Sequence, residues 1–161
     1  MWNKFRKYAL PYIVGILIPL GVGALSAFLT RDPMKIYDVI EMPPLSPPGI
    51  AFPIVWTVLY VLMGISSVTV CLARTTDPAA ARLGIFRYCA SLVFNFFWSI
   101  IFFNLHSPIF AFAVILVLFY LIVMCVISYW RVSVFAAVLQ IPYILWTAFA
   151  AYLNAAAYFL N

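Results

Sequence analysis

The chain has 161 residues, of which 68% are hydrophobic and only 8% are charged, and its formal net charge is +5. This composition excludes a soluble globular domain, in which about 25% of the residues are charged. The positive charge indicates membrane topology and contact with lipid headgroups. No nucleic-acid partner is expected, because no basic stripe interleaved with aromatic residues lies on a soluble face.

Five apolar stretches free of Asp, Glu, Lys and Arg follow one another along the chain, at residues 8–29, 50–73, 88–105, 107–130 and 132–161. A helix needs roughly 20 residues to cross the hydrocarbon core, so each stretch predicts a transmembrane helix, the third with help from residues 83–86. The predicted fold class is an all-α integral membrane protein, a five-transmembrane-helix bundle formed by one domain over residues 1–161. We expect helices at about 8–29, 50–73, 83–105, 108–130 and 133–160, with a long loop at 30–49.

The distribution of cations predicts the orientation. A secretory signal has an apolar region of only about 7–15 residues, whereas the first stretch runs for 22 residues, so we interpret it as a retained helix. Seven of the nine cations fall on one side of the predicted bundle: Lys4, Arg6, Lys7, Arg74, Arg82, Arg87 and Arg131. Positive charge stays on the cytoplasmic face. We therefore expect a multi-pass protein of the inner, cytoplasmic membrane, with a cytoplasmic N-terminus and with the first loop and the C-terminus outside.

The connections between the helices differ in character. The first loop, 30–49, contains Asp32, Asp38 and Glu41 and then four prolines within residues 43–48, which stiffen it. Long loops in small domains are often functional, so this loop is a predicted lid over a ligand. In the second loop, Asp77 is placed to cap a helix that Pro78 opens. The third and fourth helices are joined by a short turn, which predicts antiparallel neighbours.

Groups that could perform chemistry are scarce. No carboxylate lies inside the apolar stretches, which argues against a proton-coupled pump or an ion channel. The single histidine, His106, lies in a turn; an axial haem ligand is the alternative to a polar interfacial residue. The three cysteines show no metal-binding spacing. We assign no catalytic residue, no metal and no cofactor.

Aromatic and amide side chains recur instead at helical spacing on single faces. The residues in register are Trp56 and Tyr60 on the second helix, Asn95 and Trp98 on the third, and Trp146, Ala150 and Leu153 on the fifth. Asn95 should face inward, because an amide facing lipid is costly. A pocket lined by aromatic rings and a few polar groups suits a large, flat, mostly apolar ligand. Packing between helices explains the same pattern equally well.

In this order and spacing, several motifs make the chain similar to the TspO/translocator protein family, once called peripheral-type benzodiazepine receptors. They are the proline-rich segment before the second helix, FPIVW at 52–56, FNFFW at 94–98, IPYILWTAF at 141–149 and YLN at 152–154. The resemblance covers nearly the whole chain and implies a five-helix bundle, usually a homodimer, whose ligand cavity is closed by the first loop. It implies binding of tetrapyrroles such as protoporphyrin IX and of benzodiazepine-type drugs. Carried over, the cavity positions are Trp56, Asn95, Trp98, Trp146, Ala150 and Leu153.

Three departures from the family pattern limit what transfers. The first loop has Leu45 where the family often has Trp, so a photochemical role for that Trp does not transfer. The fourth helix reads AVI at 113–115, where many members carry Asp. No Lys or Arg follows Arg131, so the C-terminal sterol-recognition pattern of animal members is missing.

The function predicted from the sequence is that of a membrane receptor or binding protein for tetrapyrroles and related flat ligands, in porphyrin transport or stress regulation. Light-dependent porphyrin degradation is one alternative, and a lipid or drug transporter subunit is another. The expected partners are the porphyrin ligand, membrane lipids and a second copy of the chain. Small residues that allow close helix approach in a homodimer are Gly23, Ala27, Ala148, Ala151 and Ala155.

Overall fold

A computed structural model describes residues 2–31, 43–105 and 107–160, with only the backbone described for 2–5, 7, 8 and 108. The expectations for His106 and for the acids of the first loop, Asp32, Asp38 and Glu41, lie outside these residues, as does the greater part of the predicted lid. Within the described residues there is no strand, and the helices are α1 (Trp2–Thr30), α2 (Ala51–Leu72), α3 (Pro78–Phe103), α4 (Pro108–Trp130), α5 (Val134–Leu139) and α6 (Ile141–Leu160).

Five segments of the described chain are long and apolar enough to cross a membrane: Ala9–Thr30, Ala51–Leu72, Pro78–Phe103, Ile109–Trp130 and Val134–Leu160. The last of these contains both α5 and α6. The predicted fold class, an all-α membrane protein with five spanning helices, is therefore confirmed.

The third helix begins at Pro78, five residues before the boundary predicted at 83. The Asp77 carboxylate accepts a hydrogen bond from the backbone N–H of Ala80 at 3.0 Å, and Pro78 occupies the first turn. Proline is well suited to this position, because its missing N–H would have no partner inside the helix. The capping role predicted for Asp77 is confirmed.

The prediction of a single helix at 133–160 is wrong in one respect, because this segment is divided at Gln140 into two helices, α5 and α6. Pro142 has no N–H to donate to the carbonyl of Val138, so one hydrogen bond of the regular ladder is missing at this point. The Gln140 side chain donates to the Ser66 hydroxyl of α2 at 3.3 Å, and that hydroxyl donates to the carbonyl of Ala136 at 2.7 Å. These two bonds hold the junction of α5 and α6 against α2.

The helices pack as a closed ring in the order α1, α2, the α5–α6 pair, α4 and α3. The prediction that the third and fourth helices are neighbours is confirmed, since α3 and α4 lie against each other. Helices α1 and α2 approach especially closely, because a Cβ on Gly64 would lie only 2.6 Å from the carbonyl oxygen of Gly15. Small residues allow such backbone contact inside a membrane.

The two ends of the bundle differ in charge. The arginine-rich end, where α1 and α3 begin and α2 and α4 end, carries Arg6, Arg74, Arg82 and Arg131. At this end Arg131 pairs with Asp77 at 2.9 Å, which joins the loop before α3 to the turn after α4. The opposite end, where α1 and α3 end and α2 begins, is the first-loop end. Which end faces the cytoplasm stays a prediction from the cation count.

Candidate functional site

A cavity of about 350 Å³ lies between α1, α2 and α3 at the first-loop end. It extends from the last residues of α1 and α3 to Tyr60, about 13 Å along α2 from the start of that helix. No lining residue carries a charge; the lining consists of Leu20, Gly23, Ala24, Ser26, Ala27, Thr30, Phe52, Pro53, Trp56, Thr57, Tyr60, Trp98, Ser99 and Phe103.

One wall of this cavity is aromatic. The Trp56 ring stacks on Tyr60 with centroids 5.6 Å apart, and it lies 6.1 Å from the ring of Trp98. Tyr143 of α6 meets Trp56 edge to face at 6.0 Å. These contacts fix the orientation of the rings, so the wall is preformed rather than assembled by a ligand.

The facing wall, on α1, consists mostly of small side chains. A Cβ on Gly23 would overlap the ring of Tyr60, so glycine is needed here for α1 to lie against α2. Ala24 and Ala27 continue this wall and leave room for a ligand. This placement corrects one step of the homodimer argument, because Gly23 is used for packing within the chain. The homodimer itself stays a prediction.

Two of the polar groups of the cavity are threonine hydroxyls that are bonded to their own helices. Thr30 donates to the carbonyl of Ser26 at 2.9 Å, and Thr57 donates to that of Pro53 at 2.7 Å. A hydroxyl oxygen that donates in this way can still accept a hydrogen bond. The cavity therefore offers a few weak acceptors within an apolar surface, an arrangement that suits a flat ligand carrying few polar groups.

Two buried asparagines, Asn95 and Asn154, lie behind the aromatic wall. The Asn95 amide donates to the Tyr60 hydroxyl at 2.9 Å, and Asn95 is 1% exposed, which confirms that it faces inward. Trp98 donates through Nε1 to the Asn154 side-chain oxygen at 3.3 Å, and Asn154 donates to the carbonyl of Ala150 at 2.7 Å. These bonds hold two of the wall residues, Tyr60 and Trp98, in place.

The structure brings together only part of the predicted set. Trp56, Tyr60 and Trp98 line the cavity, and Asn95 supports Tyr60 from behind. Trp146 lies outside the lining and contacts it through Phe52, at 5.7 Å between ring centroids. Ala150 and Leu153 are buried in α6 and do not line this cavity either.

Sequence reasoning missed two features of the site. Asn154 was overlooked, although the argument that an amide avoids lipid applies to it as well as to Asn95. The wall on α1 was also missed, since small apolar residues carry no chemical signal; only their position opposite Tyr60 makes them part of the site.

The described part of the first loop is attached to α6. Residues 43–46 form a turn in which the Ser46 N–H donates to the carbonyl of Pro43 at 3.2 Å. Leu45 occupies the third position of this turn with φ 72°, a conformation that favours glycine and strains a branched side chain. The Tyr152 hydroxyl donates to the carbonyl of Pro44 at 3.0 Å, which ties the turn to α6.

Comparison with known proteins relates this architecture to one family. A profile of the TspO/MBR family matches residues 15–160. The Tryptophan-rich protein TspO of Chlorobaculum tepidum is 31% identical over 141 residues, which is 88% of this chain and 88% of that protein. The Tryptophan-rich sensory protein of Cereibacter sphaeroides is 30% identical over 94% of this chain and 90% of its own length. The human Translocator protein is 31% identical over 84% of this chain and 80% of its own length. The chain is therefore a member of the TspO/MBR family.

Proposed function

We propose that this protein binds a flat, mostly apolar ligand of the tetrapyrrole class in the cavity between α1, α2 and α3. The observation that carries this proposal is the preformed aromatic wall of Trp56, Tyr60 and Trp98, which faces the small residues of α1 across a space without charged side chains. A ring system inserted between these walls gains stacking on one face and close packing on the other.

The cavity is small for a ligand of the tetrapyrrole class, so part of the bound ring system would extend beyond it at the first-loop end. Small-molecule sites usually measure about 300–1,000 Å³, and this cavity of about 350 Å³ lies at the lower end of that range. Carboxylates on a tetrapyrrole would stay at the first-loop end, because burying them in the uncharged interior is costly.

A cavity-filling substitution tests the proposal. Ala27→Trp adds an indole to the wall on α1, and we expect it to weaken protoporphyrin IX binding at least about tenfold, or roughly 1.4 kcal/mol. Ala113→Trp makes the same change at an exposed position of α4 outside the lining and should leave the affinity within about twofold. Affinity is measured by porphyrin absorbance in one detergent, after unfolding curves confirm that both variants are folded. Equal affinities of Ala27→Trp and the unmodified chain would show that this cavity is not the site.

What the binding serves is a separate question with its own measurements. The names of relatives refer to a sensory protein and to a translocator, and both roles include a binding step. Light-dependent loss of porphyrin absorbance with a distinct product would indicate degradation. Porphyrin flux into proteoliposomes, abolished by Ala27→Trp, would indicate transport.

A further inference from the structure

A second cavity, of about 420 Å³, lies at the arginine-rich end between the end of α2 and the start of α3. Arg74 and Arg82, both exposed, supply its charged residues. Cys71 and Ile85 lie about one helical turn deeper, or about 4–5 Å, and with Ala81 they give the cleft an apolar wall. We call this space the loop-two cleft.

The two arginines of the loop-two cleft are not neutralised by any acid of the described residues. The nearest acid in the sequence, Asp77, is engaged by Arg131 at 2.9 Å. The other three acids of the sequence, Asp32, Asp38 and Glu41, belong to the first loop and lie outside the described residues. Across the described ranges, neither Arg74 nor Arg82 forms an ion pair. Two neighbouring cations above an apolar wall therefore favour an anion from outside the chain.

We propose that the loop-two cleft binds an anionic phospholipid of the adjacent leaflet. Guanidinium groups form paired hydrogen bonds to phosphate oxygens, so Arg74 and Arg82 hold the headgroup phosphate. The first part of an acyl chain lies along Cys71, Ala81 and Ile85 and covers the apolar wall. Basic pockets at the membrane surface recognise lipid headgroups in this way.

The apolar wall decides between a lipid and a soluble anion. Inorganic phosphate satisfies the arginines but covers none of the apolar wall, whereas a phospholipid covers both parts. The helix surfaces beside the cleft, including Leu72 and Phe86, are exposed and apolar, so they lie in lipid in any case. The cleft is thus continuous with a surface that lipid already covers.

This site is independent of the aromatic cavity, which lies at the other end of the bundle. Loss of lipid binding at the loop-two cleft would leave the proposed porphyrin site unaffected, and loss of porphyrin binding would leave the cleft unaffected. The two proposals therefore fail separately.

Native mass spectrometry of the full chain in a neutral detergent tests the site. The probes are phosphatidylglycerol and phosphatidylcholine with identical acyl chains, and the readout is the affinity for the first bound lipid. Each arginine near a membrane surface contributes about 1 kcal/mol to the free energy of binding anionic lipid. Arg74→Gln or Arg82→Gln should therefore weaken phosphatidylglycerol binding about fivefold. Arg6→Gln removes the same charge at the same end but outside the cleft, and it should change the affinity by less than about twofold.

A variant that keeps both arginines separates a cleft from general attraction to positive charge. Cys71→Phe fills the apolar part of the cleft at an exposed position and should weaken phosphatidylglycerol binding about as much as Arg82→Gln. Full affinity in Cys71→Phe would overturn the proposal, as would equal losses in Arg6→Gln and Arg74→Gln. Displacement of the lipid by millimolar inorganic phosphate would also overturn it, because the anion alone would then be sufficient.

Discussion

Removal of the Trp56 indole is the most direct test of the aromatic wall. Trp56 lines the cavity and is held by ring contacts to Tyr60, Trp98 and Tyr143. An aromatic side chain can bury about 150–250 Å². If about a third of that surface contacts the ligand, its loss costs roughly 1.5 kcal/mol at about 25 cal/mol per Å². Stacking contributes about 0.5–1.5 kcal/mol more.

The Trp56→Ala variant should therefore lose about 2–3 kcal/mol of binding free energy, which is about 30- to 150-fold in affinity for protoporphyrin IX. Trp146→Ala should lose less, because Trp146 reaches the cavity only through Phe52. Trp130→Ala is the control, since Trp130 is 54% exposed at the end of α4 and belongs to the opposite end of the bundle.

Porphyrin absorbance titrations in one detergent measure all three variants, and thermal unfolding confirms that each is folded. Absorbance of the ligand is preferable to protein fluorescence, because every variant lacks one tryptophan. The reasoning would be refuted if Trp130→Ala weakened binding as much as Trp56→Ala, or if Trp56→Ala bound with unchanged affinity.

Four further predictions concern stability, topology and assembly. Tyr60→Phe and Asn95→Leu should be coupled by about 0.6–1.7 kcal/mol of unfolding free energy, since each leaves the other group unpaired; additive effects in a double-mutant cycle would contradict the shared hydrogen bond. Asp77→Ala should cost about 1 kcal/mol through the lost helix cap, and Arg131→Gln less, because that pair is partly exposed; denaturation in detergent should rank them so. A reporter fused after Asn161 should be active only outside the cytoplasm. The detergent-corrected mass should correspond to two chains, and one chain at all concentrations would contradict the expected homodimer.

The cavity combines residues that the sequence marks clearly with residues that it does not mark at all. Trp56, Tyr60 and Trp98 stand out because large rings recur at helical spacing in the chain. Gly23 and Ala27 drew attention only as small residues suited to helix contact, and the structure places both on the wall of the cavity. A small residue is informative only when its neighbour in space is known.

The sequence alone determined the membrane-spanning helices, since length and hydropathy are properties of a continuous segment. It also determined the cap at Asp77, because the capping bond spans only three residues. The tertiary structure decided which helices enclose the cavity, where Trp146 lies, and which junction the Gln140 side chain supports. Those features depend on the rotation of each helix about its own axis, and within a membrane this rotation is set by packing and hydrogen bonds between helices rather than by the local sequence.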